Sequence, residues 1–147
     1  MRGISDDSLD KLRSGGLIKE CPVNPKAIEK LLERANIDLD TAQRNLNEDP
    51  ECSYIFIYNA ILRSGLALMF HRGLRPDIKD KHQTVVRFVA AALDIKMNPL
   101  ITDYNIMRRK RNRFIYEPDV PCSKSEAEFS LDVARRLVEH IKEILGR

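Results

Sequence analysis

The sequence predicts an all-α protein, and three observations carry that prediction. Helix-start signals recur along the chain, apolar residues repeat at spacings of three and four, and no strand pattern alternates with the helical ones. Asn24-Pro25, Asp49-Pro50 and Asn98-Pro99 each place a side-chain acceptor where it can bind the free N–H groups of a first helical turn. The proline that follows is tolerated because its missing N–H would have had no intrahelical partner. Ser123 in S-K-S-E marks a fourth start, with Ser123 and Glu126 at the spacing of a capping box.

A short helix is expected around Ser8–Arg13, ended by Gly15-Gly16, as an appendage over residues 1–22 ahead of a bundle over residues 23–147. The first major helix runs from about Pro25 to Asn47, with Ile28, Leu31, Leu32, Ala35, Leu39, Ala42 and Leu46 on one stripe. The second runs from about Pro50 to His71, with Gly73 and Pro76 beyond it. Its run Y-I-F-I-Y-N-A-I-L-R-S-G-L-A-L-M-F is apolar over most of its circumference, which marks a central helix, and is too long for a strand. The third begins near Asp80 and carries Val85, Val86, Phe88, Val89, Ala92 and Leu93. The fourth spans Pro99 to about Glu117, before Pro118, and the fifth spans Ser123 to Leu145. Ala127, Leu131, Ala134, Val138, Ile141 and Leu145 form the seam of that last helix. Short connections favour antiparallel neighbours.

At 147 residues the chain is long enough for one domain with its own core. A formal charge of +3 permits a nucleic-acid partner without arguing for one, because clustering matters more than the total. Cys21, Cys52 and Cys122 are odd in number and lack C-x-x-C spacing, which fits a reducing cytosol and gives no zinc motif. The N-terminus carries acids where a signal peptide needs an apolar run. No stretch is expected to reach the roughly twenty apolar residues of a membrane span, so a cytoplasmic protein is expected. His71, His82 and His140 lack the spacing of a metal pair, and no E-x-x-H is present. No cofactor is expected.

The basic stretch R-R-K-R-N-R-F-I-Y-E-P, Arg108 to Pro118, poses the functional question. An ideal helix turns 100° per residue, so Leu100, Tyr104, Met107 and Ile115 fall within about 40° of Arg111. Arg111 then sits at the middle of the apolar face, Arg108 and Asn112 lie along one edge at about 60° and 100°, and Lys110, Arg109 and Arg113 point away. A guanidinium turned inward is costly unless an anion or several acceptors meet it. Either a carboxylate on a facing helix pairs with Arg111, or Arg111 with Asn112 and nearby Arg108 forms an anion site suited to phosphate.

The chain resembles the HEPN superfamily. The resemblance rests on L-L-E-R-A-N-I-D-L-D-T-A, the aromatic-rich helix Y-I-F-I-Y-N-A-I-L-R-S-G-L-A-L-M, the loop with D-K-H-Q-T-V-V-R-F, and R-x-x-R-N-R-F-I-Y. It implies a four- to five-helix up-and-down antiparallel bundle, a homodimer, and a metal-independent RNase of the toxin–antitoxin or defence kind, often beside a nucleotidyltransferase antitoxin. The family site is an Arg followed four to six residues later by His, repeated across the dimer cleft. Arg111 matches the Arg and Asn112 the polar residue after it, while Ile115, Tyr116 and Glu117 occupy the His window.

By that resemblance Arg111, Asn112 and Tyr116 are the catalytic candidates, with Tyr116 able to contact phosphate, stack on a base, or accept a nucleotide from the antitoxin. Arg108, Arg63, Asn59 and His82 are the RNA- or phosphate-binding candidates. Asn59 and Arg63, four apart in an apolar helix, either line the same cleft or are satisfied core polar groups. His82 is either a site residue or a polar residue at a helix start. Without a histidine in its window the site lacks the group best suited to proton exchange near neutral pH, so a non-catalytic module binding RNA, nucleotide or a nucleotidyltransferase is the alternative to an RNase.

Overall fold

A computed structural model describes residues 6–147. Its helices are α1 (Asp6–Ser14), α2 (Pro25–Asn45), α3 (Pro50–His71), α4 (Lys81–Ala92), α5 (Asn98–Tyr116) and α6 (Lys124–Ile144). Two short strands, β1 (Ile18–Glu20) and β2 (Leu74–Pro76), pair antiparallel with Ile18 opposite Pro76. The all-α bundle expected from the helix signals is present, and the strand pair is an addition to it.

α3 is the axis of the bundle, packed against α2, α4, α5 and α6. Ile57, Tyr58, Ala60, Ile61, Ala67, Leu68 and Met69 are fully buried because neighbours meet the helix on several sides. By length and composition α3 is apolar enough to cross a bilayer, which corrects the expectation that no stretch reaches that length. Here the apolar surface is covered by the other helices instead.

Caps follow the sequence where they are local. Asn24 accepts from the N–H groups of Lys26 and Ala27, Asp49 from Cys52, and Ser123 from Glu126. Asn98 does not cap α5. A 3-10 turn over Ile95–Met97, itself capped by Asp94, runs straight into α5, so Asn98 is already right-handed helical at φ −53°. Glu126 pairs with Lys110.

The N-terminal segment is tied to the bundle. Leu12 and Ile18 join the main core, Asp77 N–H donates to Leu17 O, and Cys21 N–H donates to Gly73 O. β2, at the exit of α3, thereby fixes where the chain enters α4.

Gly65 lets α3 and α4 approach closely. A Cβ there would lie 2.6 Å from Val85 Cγ1 and 3.1 Å from Val89 Cγ2, both on short branched side chains that cannot swing aside. Gly65→Ala is therefore expected to destabilise the protein by about 1–3 kcal/mol through overpacking. The gain in helix propensity, about 1 kcal/mol at most, does not offset the clash. Chemical denaturation of the two proteins measures this, and an unchanged midpoint would show that the interface is looser than the distances imply.

Candidate functional site between α3, α4 and α5

The site forms where the inner faces of α3, α4 and α5 meet. α5 buries Leu100, Ile101, Tyr104 and Met107. One turn beyond Met107, the Arg111 guanidinium lies 5.8 Å from the centroid of the Tyr58 ring, partly buried against it. Its other contact is a long one, 3.5 Å from Nη1 to Asn112 Oδ1. One turn earlier, Arg108 Nε donates to Asn105 Oδ1 at 3.0 Å. Among the described residues, neither arginine pairs with a carboxylate. The carboxylate alternative for Arg111 is therefore not what the fold contains.

Tyr58 serves two neighbours. Its ring supports Arg111, and its hydroxyl lies 2.7 Å from His82 Nδ1 on α4, with the two rings 11° from parallel. Burial is the main cause that drives the Tyr58 phenol well above its ordinary range, outweighing the opposing pull of Arg111 and Arg108. Tyr58 therefore keeps its proton. Burial also holds His82 below its ordinary value, reinforced by Arg111, Arg108 and Lys81, so the imidazole is neutral near pH 7. Tyr104 lies behind Tyr58, its ring centroid at 5.9 Å and tilted by 41°, fully buried and with its hydroxyl unpaired among the described residues.

The apolar run of α3 puts Tyr58 in the core, where it is fully buried, and it also contacts Arg111 and His82. The signal was chemical: a tyrosine at the buried centre of an apolar helix needs a partner for its hydroxyl, and that partner is a polar residue on another element.

The other candidates are placed as follows. Arg63 Nη1 pairs at 2.9 Å with the buried carboxylate of Asp38 on α2, and Arg34 approaches the same carboxylate at 3.9 Å. Arg63 stands about 140° around α3 from Tyr58, so it belongs to an α2–α3 structural pair and not to the arginine cluster. Asn59 is half-buried, about 100° from Tyr58 and closer in angle to Arg63. Asn112 is exposed beside Arg111, and Tyr116 is 82% exposed at the end of α5.

Two details of the α5 reading are corrected. Ile115 is 61% exposed and is not part of the inner face. Lys110 does not point away: it is mostly buried, ion-paired to Glu126 of α6 and close to the rings of Tyr54 and Phe114. Tyr54 and Phe114 meet edge to face at 5.4 Å, so the inner line of α5 runs Tyr104, Met107, Lys110, Phe114. Arg111 lies at the edge of that line, which leaves one side of its guanidinium accessible.

A groove of about 290 Å³ between α4 and α5 is lined by Gln83, Arg87, Thr102, Asn105, Arg108 and Arg109, among others. Among the described residues no group of three or more His, Cys, Asp or Glu side chains is arranged to hold a metal ion.

Comparison with known proteins adds one finding. A family model described as HEPN domain matches residues 28–144. The chain belongs to the HEPN family. No curated protein and no solved structure matched it. The HEPN domain thus takes in α2 to α6, with α1 and β1 outside the match. The arginine cluster lies within it, and the histidine nearest that cluster comes from α4.

His82 makes the stability of the HEPN domain pH-dependent. Its folded affinity for protons is below that of the unfolded chain, so the unfolded state binds more protons as the pH falls through about 6.5. Stability should therefore be lost on acidification from pH 7.5 towards 5.5, and His82→Gln should flatten that slope. Melting curves of both proteins across this range test it; parallel curves would contradict the placement.

Proposed function

We propose that this HEPN domain is a toxin-like, RNA-binding component of a toxin–antitoxin or defence system, acting as a cytoplasmic homodimer. Arg111 and Arg108 receive the phosphate backbone, and Arg87 and Arg109 extend the cationic track along the α4–α5 groove. The observation that carries this reading is the pair of guanidiniums, one laid on Tyr58 and the other bonded to Asn105, with no carboxylate among the described residues neutralising either. Such groups are preorganised for a phosphate and need no rearrangement to take one.

The test is binding of a labelled single-stranded RNA in EDTA over a range of salt concentrations. Two to four phosphate contacts give a slope of log affinity on log salt of about −1.4 to −2.8. An absence of binding at low salt would refute the reading.

The exposure of Tyr116 favours a second reading. Tyr116 is exposed at the end of α5, and in this reading its hydroxyl accepts a nucleotide from a partner nucleotidyltransferase antitoxin. The two readings are compatible, since modification there would set a charged group one helical turn from Asn112.

A further inference from the structure

α3 is buried around most of its circumference, yet Leu62, Leu66 and Phe70, spaced by four along one face, stay half-buried. With Val85 of α4 they wall a pocket of about 260 Å³ between α3, β2 and α4. Its rim is formed by Arg75 of β2 and by Lys81 and His82 from the first turn of α4, and no acidic side chain is among the described residues that line it. Neither Arg108 nor Arg111 lines it, so the pocket is a separate place from the arginine cluster.

Among the described residues neither Arg75 nor Lys81 is ion-paired. Asp77, whose carboxylate feels the Arg75 charge, is paired with Lys19 at 3.3 Å and is not part of the lining. His82 is anchored from its other side, with Nδ1 2.7 Å from the Tyr58 hydroxyl, which has no other hydrogen-bond partner among the described residues. That bond takes the Tyr58 proton and leaves the imidazole proton on Nε2. Nε2 has no partner among the described residues and is not one of their buried unpaired atoms, so it is the atom His82 can offer to a ligand. Asp80, just ahead of α4, makes no side-chain cap bond, so the N–H groups of the first turn keep their partial positive charge at this end of the helix.

We propose that this pocket binds a small organic anion: an aromatic or branched aliphatic body set against Leu62, Leu66, Phe70 and Val85, with one terminal carboxylate or phosphate held by Arg75, Lys81 and the Nε2–H of His82.

Size and charge set the class. A cavity of about 150 Å³ holds benzene, and pockets for drug-sized ligands begin at about 300 Å³. The space here, about 260 Å³, therefore suits a single ring with a short arm. A nucleotide, with base, sugar and phosphate, exceeds it. The walls favour an apolar body because its burial removes apolar surface from water on both sides. The rim favours a negative head because guanidinium and ammonium groups make charge-assisted hydrogen bonds to it. An uncharged ligand would shield the same cations from water and give them no acceptor of matching charge.

The experiment titrates the full chain near neutral pH with phenylacetate and with phenyl phosphate while methyl and histidine NMR signals are followed. At least one probe should bind with a Kd of about 1 mM or tighter, the strength expected of about ten non-hydrogen atoms. The Leu62, Leu66, Val85 and His82 signals should move while those of Leu39 on α2 and Val138 on α6 stay fixed. Binding of phenylacetate alone assigns a carboxylate head, and binding of phenyl phosphate alone a phosphate head.

For the probe that binds, loss of the charge or of the ring should weaken binding by at least about tenfold; phenylacetamide and acetate provide this comparison for phenylacetate, phenol and inorganic phosphate for phenyl phosphate. Arg75→Ala and Lys81→Ala replace exposed side chains, should leave the fold intact, and should each weaken binding by about three- to tenfold. Leu66→Trp, which fills the pocket, should abolish binding; if it does not fold, the two rim variants decide. No saturable binding of either probe at about 10 mM, shifts centred away from the pocket, or affinity unchanged in both rim variants would overturn the proposal. None of these outcomes bears on Arg108 and Arg111, so the RNA-binding reading stands or falls separately.

Discussion

Arg111→Ala is expected to weaken RNA binding by about ten- to a hundredfold. The size follows from the loss of charge-assisted hydrogen bonds to phosphate, about 1.5–3 kcal/mol, at about 1.4 kcal/mol per tenfold. The fold should survive. Among the described residues Arg111 makes no ion pair, and its main contact there is the face of Tyr58, a cation–π contact worth about 0.5–1 kcal/mol. Arg113 is the control, since it is exposed and paired with Glu117. Arg113→Ala should change affinity by less than about threefold, in keeping with the small energies of surface charges. Fluorescence anisotropy on the three proteins separates the cases, and equal losses from both substitutions would reduce the site to a general basic surface.

Arg63→Ala should show the reverse pattern, with a large loss of stability and RNA binding retained. Asp38 is 1% exposed, and its carboxylate depends on Arg63 at 2.9 Å and Arg34 at 3.9 Å. Removing one partner of a buried pair costs about 3–5 kcal/mol; because Arg63 is one-third exposed and water can reach the gap, about 2–3 kcal/mol is expected. For a chain of this length that is a fall of roughly 4–12 °C in Tm.

The pH dependence adds a check. Burial raises the Asp38 carboxyl above its ordinary value despite the two arginines. A raised carboxyl favours the folded state while protonated and loses that contribution as pH rises through the folded pKa. Without Arg63 the carboxyl rises further, so the deficit should be largest at neutral pH and shrink on acidification. The double variant Asp38→Leu with Arg63→Met should recover most of the stability, because an apolar pair of similar volume removes the desolvation cost. A single variant as stable as wild type would mean that Asp38 finds another partner.

Legibility from sequence followed the range of the interaction. Asn24 and Asp49 cap as expected because the cap and its N–H partners lie within three residues. The apolar circumference of α3 announced a central helix because burial on several sides leaves no polar stripe. Asn98 misled because the preceding 3-10 turn, which the Asn-Pro pair does not reveal, had already begun the helix.

On α5, periodicity found an inner face but placed it one position off. Which of Lys110 and Arg111 turns inward is decided by Glu126 on α6 and by the Tyr54–Phe114 contact, neither of which belongs to the local pattern. The Tyr58–His82 bond joins residues 24 apart on separate helices, so only the packing of α4 on α3 brings it into being. Arg63 and Arg111 look alike as cations in apolar stretches, and only Asp38 tells them apart. β1 and β2 are three residues each, too short to show a period of two.

The most direct measurement follows the guanidinium Nε–H resonances of Arg108, Arg111 and Arg63 by NMR while a short RNA is added in EDTA. The Arg108 and Arg111 signals should move together with a common affinity while Arg63, held by Asp38, stays in place. Signals of Arg108 and Arg111 that remain fixed while the RNA binds elsewhere would contradict it.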